Sequence, residues 1–223
     1  MISAIGDILP LALAIGISPF PIVGMILTLL SPKPRGSGIT FALGWLVGVI
    51  GPLVAIILVA GATGLGDDGQ PGKTIGVIRL ILGVALIALA FQQWQSRPGA
   101  GEEPHMPRWL ASVDALTPAK SAVLGFALAA INPKGLFITI AAGLALNRTG
   151  LGGADLVVPA AVYVLIASSS VIILLGAYLL APDRMGQPLT KTKAWLIANN
   201  SVIMVVILLI IGAMVFSKGL HSF

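Results

Sequence analysis

Two short stretches place groups capable of chemistry inside apolar surroundings: Ser18-Pro19-Phe20-Pro21 and Asn132-Pro133-Lys134-Gly135. Proline removes a backbone donor and clashes with the preceding turn, so each stretch interrupts a helix and, in the second, frees carbonyls near Ala129 and Ala130. Unsatisfied backbone in lipid costs several kcal/mol per group, so such breaks persist only against protein or a wet cavity. Lys134 at membrane depth adds roughly 2.5–3.5 kcal/mol on insertion scales. One polar cavity holding an anionic group would offset both penalties. Lys134 would supply charge, and the helix that opens there would supply free N–H groups. The Ser18 to Pro21 stretch would present a facing half-helix starting near Pro21. The competing use is a structural break, with Lys134 snorkelling or paired to a carboxylate.

Other polar residues in apolar context are few. Arg79 lies about 8 Å inside its span, where it can serve as a second cationic contact or snorkel to the headgroups. Asn199 and Asn200 can bind substrate or join helices through hydrogen bonds. Asp7 is the one acidic residue within a span; a coupling proton, a pairing with Lys134 or Arg79, and simple solvation are all open to it. Cysteine is absent, which excludes disulfides and thiolate metal sites, and His105 and His221 lack neighbours at metal-ligand spacing. Gly64 to Gly72 lacks the spaced ligands of an EF-hand and the Lys-Ser/Thr of a P-loop, and so reads as a turn. No Ser–His, Asp–Asp or metal-ligand constellation sits at membrane depth. Neither an enzyme nor a cofactor is expected.

The elements that must position these residues are legible in the composition. Of 223 residues 57% are hydrophobic and 9% charged, whereas a soluble domain carries about 25% charged residues. An all-α polytopic membrane bundle follows, with apolar segments at about 5–30, 38–61, 74–94, 121–146, 156–180 and 194–216. Each is long enough to cross about 30 Å of hydrocarbon. The first lacks a basic n-region and a cleavage pattern, and reads as a span. Lys33, Arg35, Arg97, Arg108, Lys120, Arg184, Lys191 and Lys193 fall on one side; Lys73, Arg148 and Lys218 fall on the other. The excess puts the first set in the cytoplasm and both termini outside the cell membrane. The net charge of +5 is thus loop charge; no nucleic-acid partner is expected. Pro107 to Leu116 reads either as an interfacial helix anchored by Trp109 or as plain linker. The small residues Ala167 to Ser170, and Gly44, Gly48 and Gly51, read as packing faces.

Residues 11–26 and 126–140 share Ala-Leu-Ala followed by a short polar residue and proline (Ser18-Pro19 and Asn132-Pro133). Arg79 stands six residues beyond Lys73, and Asn199 six beyond Lys193. These echoes imply two inverted three-helix repeats, 1–94 and 121–223, joined by a linker at 95–120. Secondary transporters with such repeats bind substrate near the midplane, where paired helices are broken.

The stretch Ser18 to Val49, with Pro19, Pro21 and Gly44-Trp45, together with Asn132 to Gly143, resembles the GAP or peptidoglycolipid-addressing family. That family contains the sulfolipid-addressing proteins of mycobacteria and related actinobacteria and belongs to the lysine-exporter (LysE) superfamily. The resemblance covers essentially the whole chain. It implies an inner-membrane protein that helps move glycolipids or other envelope amphiphiles outward, with Trp45 added to the substrate-contacting set. Gly135 stands where a relative carries a polar residue. On this reading the substrate is an anionic lipid held by Lys134 and Arg79, with Asn132, Ser18 and Asn199 as hydrogen-bonding groups. Membrane lipids, a second copy of the chain, or envelope-lipid biosynthesis and export proteins are the partners. A LysE-type exporter of amino acids or other small solutes is the first rival; its amino-group partner could only be Asp7. A non-transporting scaffold of a lipid-export complex is the second.

Overall fold

The computed structural model describes residues 2–63, 73–97, 116–149, 151 and 153–221, apart from the side chains at 73 and 75. The Gly64 to Gly72 turn, His105, Arg108 and the Pro107 to Leu116 segment up to residue 115, with Trp109, lie outside that set. The described residues form helices and no strand. They are α1 (Ile2–Gly16), α2 (Pro19–Leu29), α3 (Pro34–Ala62), α4 (Lys73–Gln95), α5 (Pro118–Ala130), α6 (Pro133–Asn147), α7 (Val157–Ala167), α8 (Ser169–Leu180) and α9 (Pro182–Leu220), with a 3-10 turn, Gly153–Leu156, before α7.

Helices α3, α4 and α9 are each long and apolar enough to cross a membrane. The pairs α1/α2, α5/α6 and α7/α8 qualify when each is taken as one bent span, with bends of 46°, 59° and 59°. The outward faces are as apolar as the core: Val47, Leu58, Ile81, Val123 and Ile210 are all exposed. Helices apolar all round need a hydrocarbon solvent. This is a membrane protein. The basic segment ahead of residue 194, expected as loop, is helical instead. α9 begins at Pro182 and runs 39 residues, about 58 Å at the helical rise, because Pro182 suits a first-turn position.

Packing joins the first half of the chain to the second. α3 lies along α5 and reaches α6, α4 runs along α9, α1 rests on α7 and α6, and α2 rests on α8 and α9. Lipid tails are as apolar as leucine, so helices associate through close backbone approach and interhelical hydrogen bonds. Gly44 is stacked on the Ala122 carbonyl, Gly125 on the Phe41 carbonyl, and Gly48 on Phe126 and Ala129. Gly51, expected on the same face, looks onto open space, where a Cβ would meet nothing within 4 Å. The Thr40 hydroxyl donates to the Pro118 carbonyl at 2.6 Å, and the Asn147 amide donates to the Ile57 carbonyl at 3.1 Å. Along α4 and α9 the small residues Gly83, Gly212 and Gly219 give the same intimacy against Phe216, Ile87 and Leu80.

Between α6 and α7 the hydroxyls of Thr139 and Tyr163 hydrogen-bond at 3.1 Å, both fully enclosed. Tyr163→Phe is expected to cost about 1 kcal/mol, seen as a lower thermal unfolding midpoint of the detergent-solubilised protein. A midpoint equal to wild type would mean that Thr139 finds another hydrogen-bond partner at no cost.

Candidate functional site

Ser18 and Asn132 adopt nearly the same extended backbone, with φ −63° and ψ 132° at the first and φ −63° and ψ 116° at the second. The cause is local: a following proline disfavours the helical region for the residue before it. A helix restarts at each proline. Asn132 caps its helix, its side-chain oxygen accepting from the Lys134 N–H at 3.2 Å. Ser18 does not cap α2. Its hydroxyl donates across to the Met204 sulfur on α9 at 3.7 Å.

A third break at Ser168 separates α7 from α8. The serine run around it is therefore more than the packing face expected. No proline marks the position. The Ser169 hydroxyl donates back to the Ile166 carbonyl at 2.8 Å, competing with the helix ladder. The hydroxyls of Ser168 and Ser170 are buried without a hydrogen-bond partner among the described residues.

These breaks touch. At the end of α1, a methyl on Gly16 would lie 2.6 Å from the Ile166 carbonyl oxygen and 3.3 Å from the Ser169 hydroxyl, so only glycine admits this contact. Just past the same break, the Phe20 ring lies 5.3 Å from the Lys134 amine, within cation–π range. The half-buried Lys134 donates to the Gln93 side-chain oxygen at 2.6 Å, and the Gln93 amide donates on to the Ser201 hydroxyl at 3.3 Å. One amine thus links α6, α2, α4 and α9. Its hydrogen-bond acceptor is a neutral amide, not a carboxylate.

The structure therefore gathers Lys134, Asn132 and Pro133 with the Ser18, Pro19 and Pro21 stretch. It separates the others. Arg79 is 14 residues before Gln93 on α4, about 21 Å away along the axis, and makes no second cationic contact beside Lys134. Asp7 pairs with Lys218, not with Lys134. Asn199 donates to the Trp195 carbonyl of its own helix at 2.9 Å; that satisfies the amide locally. Asn200 is half-buried on the same helix, next to Ser201. Trp45 is buried in the seam between α3 and α5, where its backbone N faces Gly125. It packs helices there, and its indole N–H is buried without a hydrogen-bond partner among the described residues. His221 is exposed at the end of α9, its ring hydrogen-bonded to the Ser217 carbonyl at 2.8 Å.

Gln93, Phe20 and Ser201 were missed in the sequence. Gln93 sits in Phe-Gln-Gln-Trp-Gln at the end of a span, where polar residues are ordinary. Only its partner identifies it.

A family model matches residues 8–221, that of Sap, sulfolipid-1-addressing protein. No curated protein and no solved structure matches the chain.

Proposed function

The chain belongs to the Sap, sulfolipid-1-addressing protein, family, and from that premise we propose that it moves an anionic lipid or similar envelope amphiphile outward across the cell membrane. The observation that carries this is the Lys134 amine held by the neutral Gln93 side chain at the meeting of the helix breaks. A cation whose protein acceptor is uncharged can exchange that acceptor for an anionic headgroup. The ammonium's bond to that amide is already charge-assisted, and an anionic headgroup adds the attraction between two full charges that the amide lacks.

In this reading the bent pairs each cross once, giving six spans with both termini extracytoplasmic. The packing pattern supports two inverted repeats. Exchanging the halves turns the pairing of the second span with the fourth into that of the fifth with the first, and leaves the third with the sixth unchanged. The Ser168 break departs from that symmetry, since α3 runs unbroken through the corresponding span. Lys134 binds the headgroup, Asn132 and Ser18 lend polar contacts, and the prolines keep the helices interrupted. Bending at Gly16 and Ser18 against the Ser168 break changes access. The apolar outward faces suit a substrate whose chains stay in the bilayer.

The test is transbilayer movement of a fluorescent sulfated lipid in vesicles holding purified protein, with a zwitterionic lipid and a free amino acid as parallel substrates. Wild type is expected to move the sulfated lipid, and Lys134→Gln to slow it about tenfold or more, the worth of one charged hydrogen bond. Equal rates in the two proteins remove the headgroup role. Movement of the amino acid alone identifies a small-solute exporter, and movement of nothing identifies a scaffold.

A further inference from the structure

A second polar site lies at the opposite end of α4 from Gln93. The first turns of α1, the start of α4 and the ends of α6 and α9 meet around a cavity of ≈ 140 Å³, lined by Ser3, Asp7, Arg79, Arg148, Thr149 and Lys218. Two of these helices begin here and two end, so their dipoles largely cancel and side-chain charge decides the local field. Among the described lining residues that charge is three cations against one carboxylate. Asp7 is ion-paired with Lys218. Arg79 is only 4% exposed, and one of its guanidinium nitrogens, Nη1, is buried with no partner among the described residues. A guanidinium is always charged and presents a planar fork of donors; burying it with a donor unused is costly, and an anion is the strongest acceptor that can complete it.

We propose that this cavity binds a tetrahedral oxyanion, sulfate or phosphate, either free or as the headgroup of a lipid, with Arg79 and Arg148 as its chief contacts. Asp7 is the internal competitor: its carboxylate occupies part of the field that the oxyanion would fill. The Thr149 hydroxyl already donates to the Leu146 carbonyl at 2.7 Å, so the arginines supply most of the donors. This site is separate from Lys134 and does not depend on whether the protein transports anything.

The experiment is equilibrium binding to purified protein, read as the rise in thermal unfolding midpoint. Sodium sulfate and sodium phosphate are titrated against sodium chloride at matched ionic strength. A parallel series uses nanodiscs of phosphatidylcholine with or without a sulfated glycolipid or phosphatidic acid. Wild type is expected to gain stability with the oxyanions beyond chloride, or with the anionic lipids alone. Since sulfate and phosphate also stabilise folded proteins by exclusion from their surface, the part of the gain lost in Arg148→Gln identifies a free-ion site in the first case and a headgroup site in the second. Arg79→Gln and the exposed Arg148→Gln should each weaken binding about tenfold, and Asp7→Asn should tighten it about threefold or more. Because Lys134 is itself proposed to meet an anionic headgroup, the lipid series is repeated in the Lys134→Gln background, where the loss caused by Arg148→Gln should persist. Should Arg79→Gln not fold, Arg148→Gln decides. The proposal is overturned by chloride acting as well as the oxyanions with no response to the lipids, or by Arg148→Gln binding like wild type.

Discussion

Gln93→Leu is expected to lower stability by about 1–3 kcal/mol, because it strips the Lys134 amine of its acceptor while the amine stays half-buried. The donor to Ser201 is lost as well, but a hydroxyl on a helix can fall back on its own backbone. Lys134→Met in the same background should restore most of that loss, since removing both partners of a buried polar contact is often nearly neutral. The two substitutions are therefore expected to be strongly non-additive, by about 1 kcal/mol or more for residues in direct contact. Chemical unfolding of the four proteins in detergent gives the cycle directly. The double variant also separates structure from function. A protein that folds as well as wild type and moves no lipid shows that the lysine is retained for its charge. Full lipid movement in that variant would show that the ammonium has no part in the process.

Gly125→Val should unfold or separate the bundle more severely than any polar change at the break. A Cβ at Gly125 overlaps the Phe41 carbonyl oxygen and approaches the Trp45 backbone nitrogen at 2.9 Å. Both obstacles are main chain of α3, which cannot rotate aside as a side chain can. The helices must part along the seam that holds the two halves together, and Gly44 opposite, against the Ala122 carbonyl, loses its contact in the same movement. Overpacking costs typically about 1–3 kcal/mol and occasionally more, and a rigid backbone obstacle puts this substitution at the upper end or beyond. Gly125→Ala should lie between wild type and Gly125→Val. Gly51→Ala is the control on α3, because a Cβ there meets nothing within 4 Å. If Gly125→Ala and Gly51→Ala melt together, α3 and α5 are not held by this approach.

The difference between Gly125 and Gly51 marks where sequence reading ends. Both are glycines in apolar helices, and nothing in their neighbours distinguishes the one that carries an interhelical contact. The two proline breaks were legible because a proline disfavours helix at the residue before it and each stands beside a polar residue. Pro10, Pro52 and Pro188, which lack that polar neighbour or lie in a long helix, sit inside unbroken helices. Ser168 carries no such mark. Its break arises from a serine hydroxyl returned to the backbone beside an incoming glycine from α1, and that glycine is about 150 residues away in the chain.

By itself the sequence determined the solvent, the helical class, the family resemblance and the positions of two breaks. All of these follow from composition, or from steric rules acting over a few residues. Tertiary structure alone decided which polar groups share a site. It set Lys134 against Gln93 and Phe20, and sent Arg79 and Asp7 to the far end beside Arg148 and Lys218. The physical reason is that a charge in an apolar helix must find its partner on another helix, and pairing between helices depends on side-by-side packing that no single segment encodes.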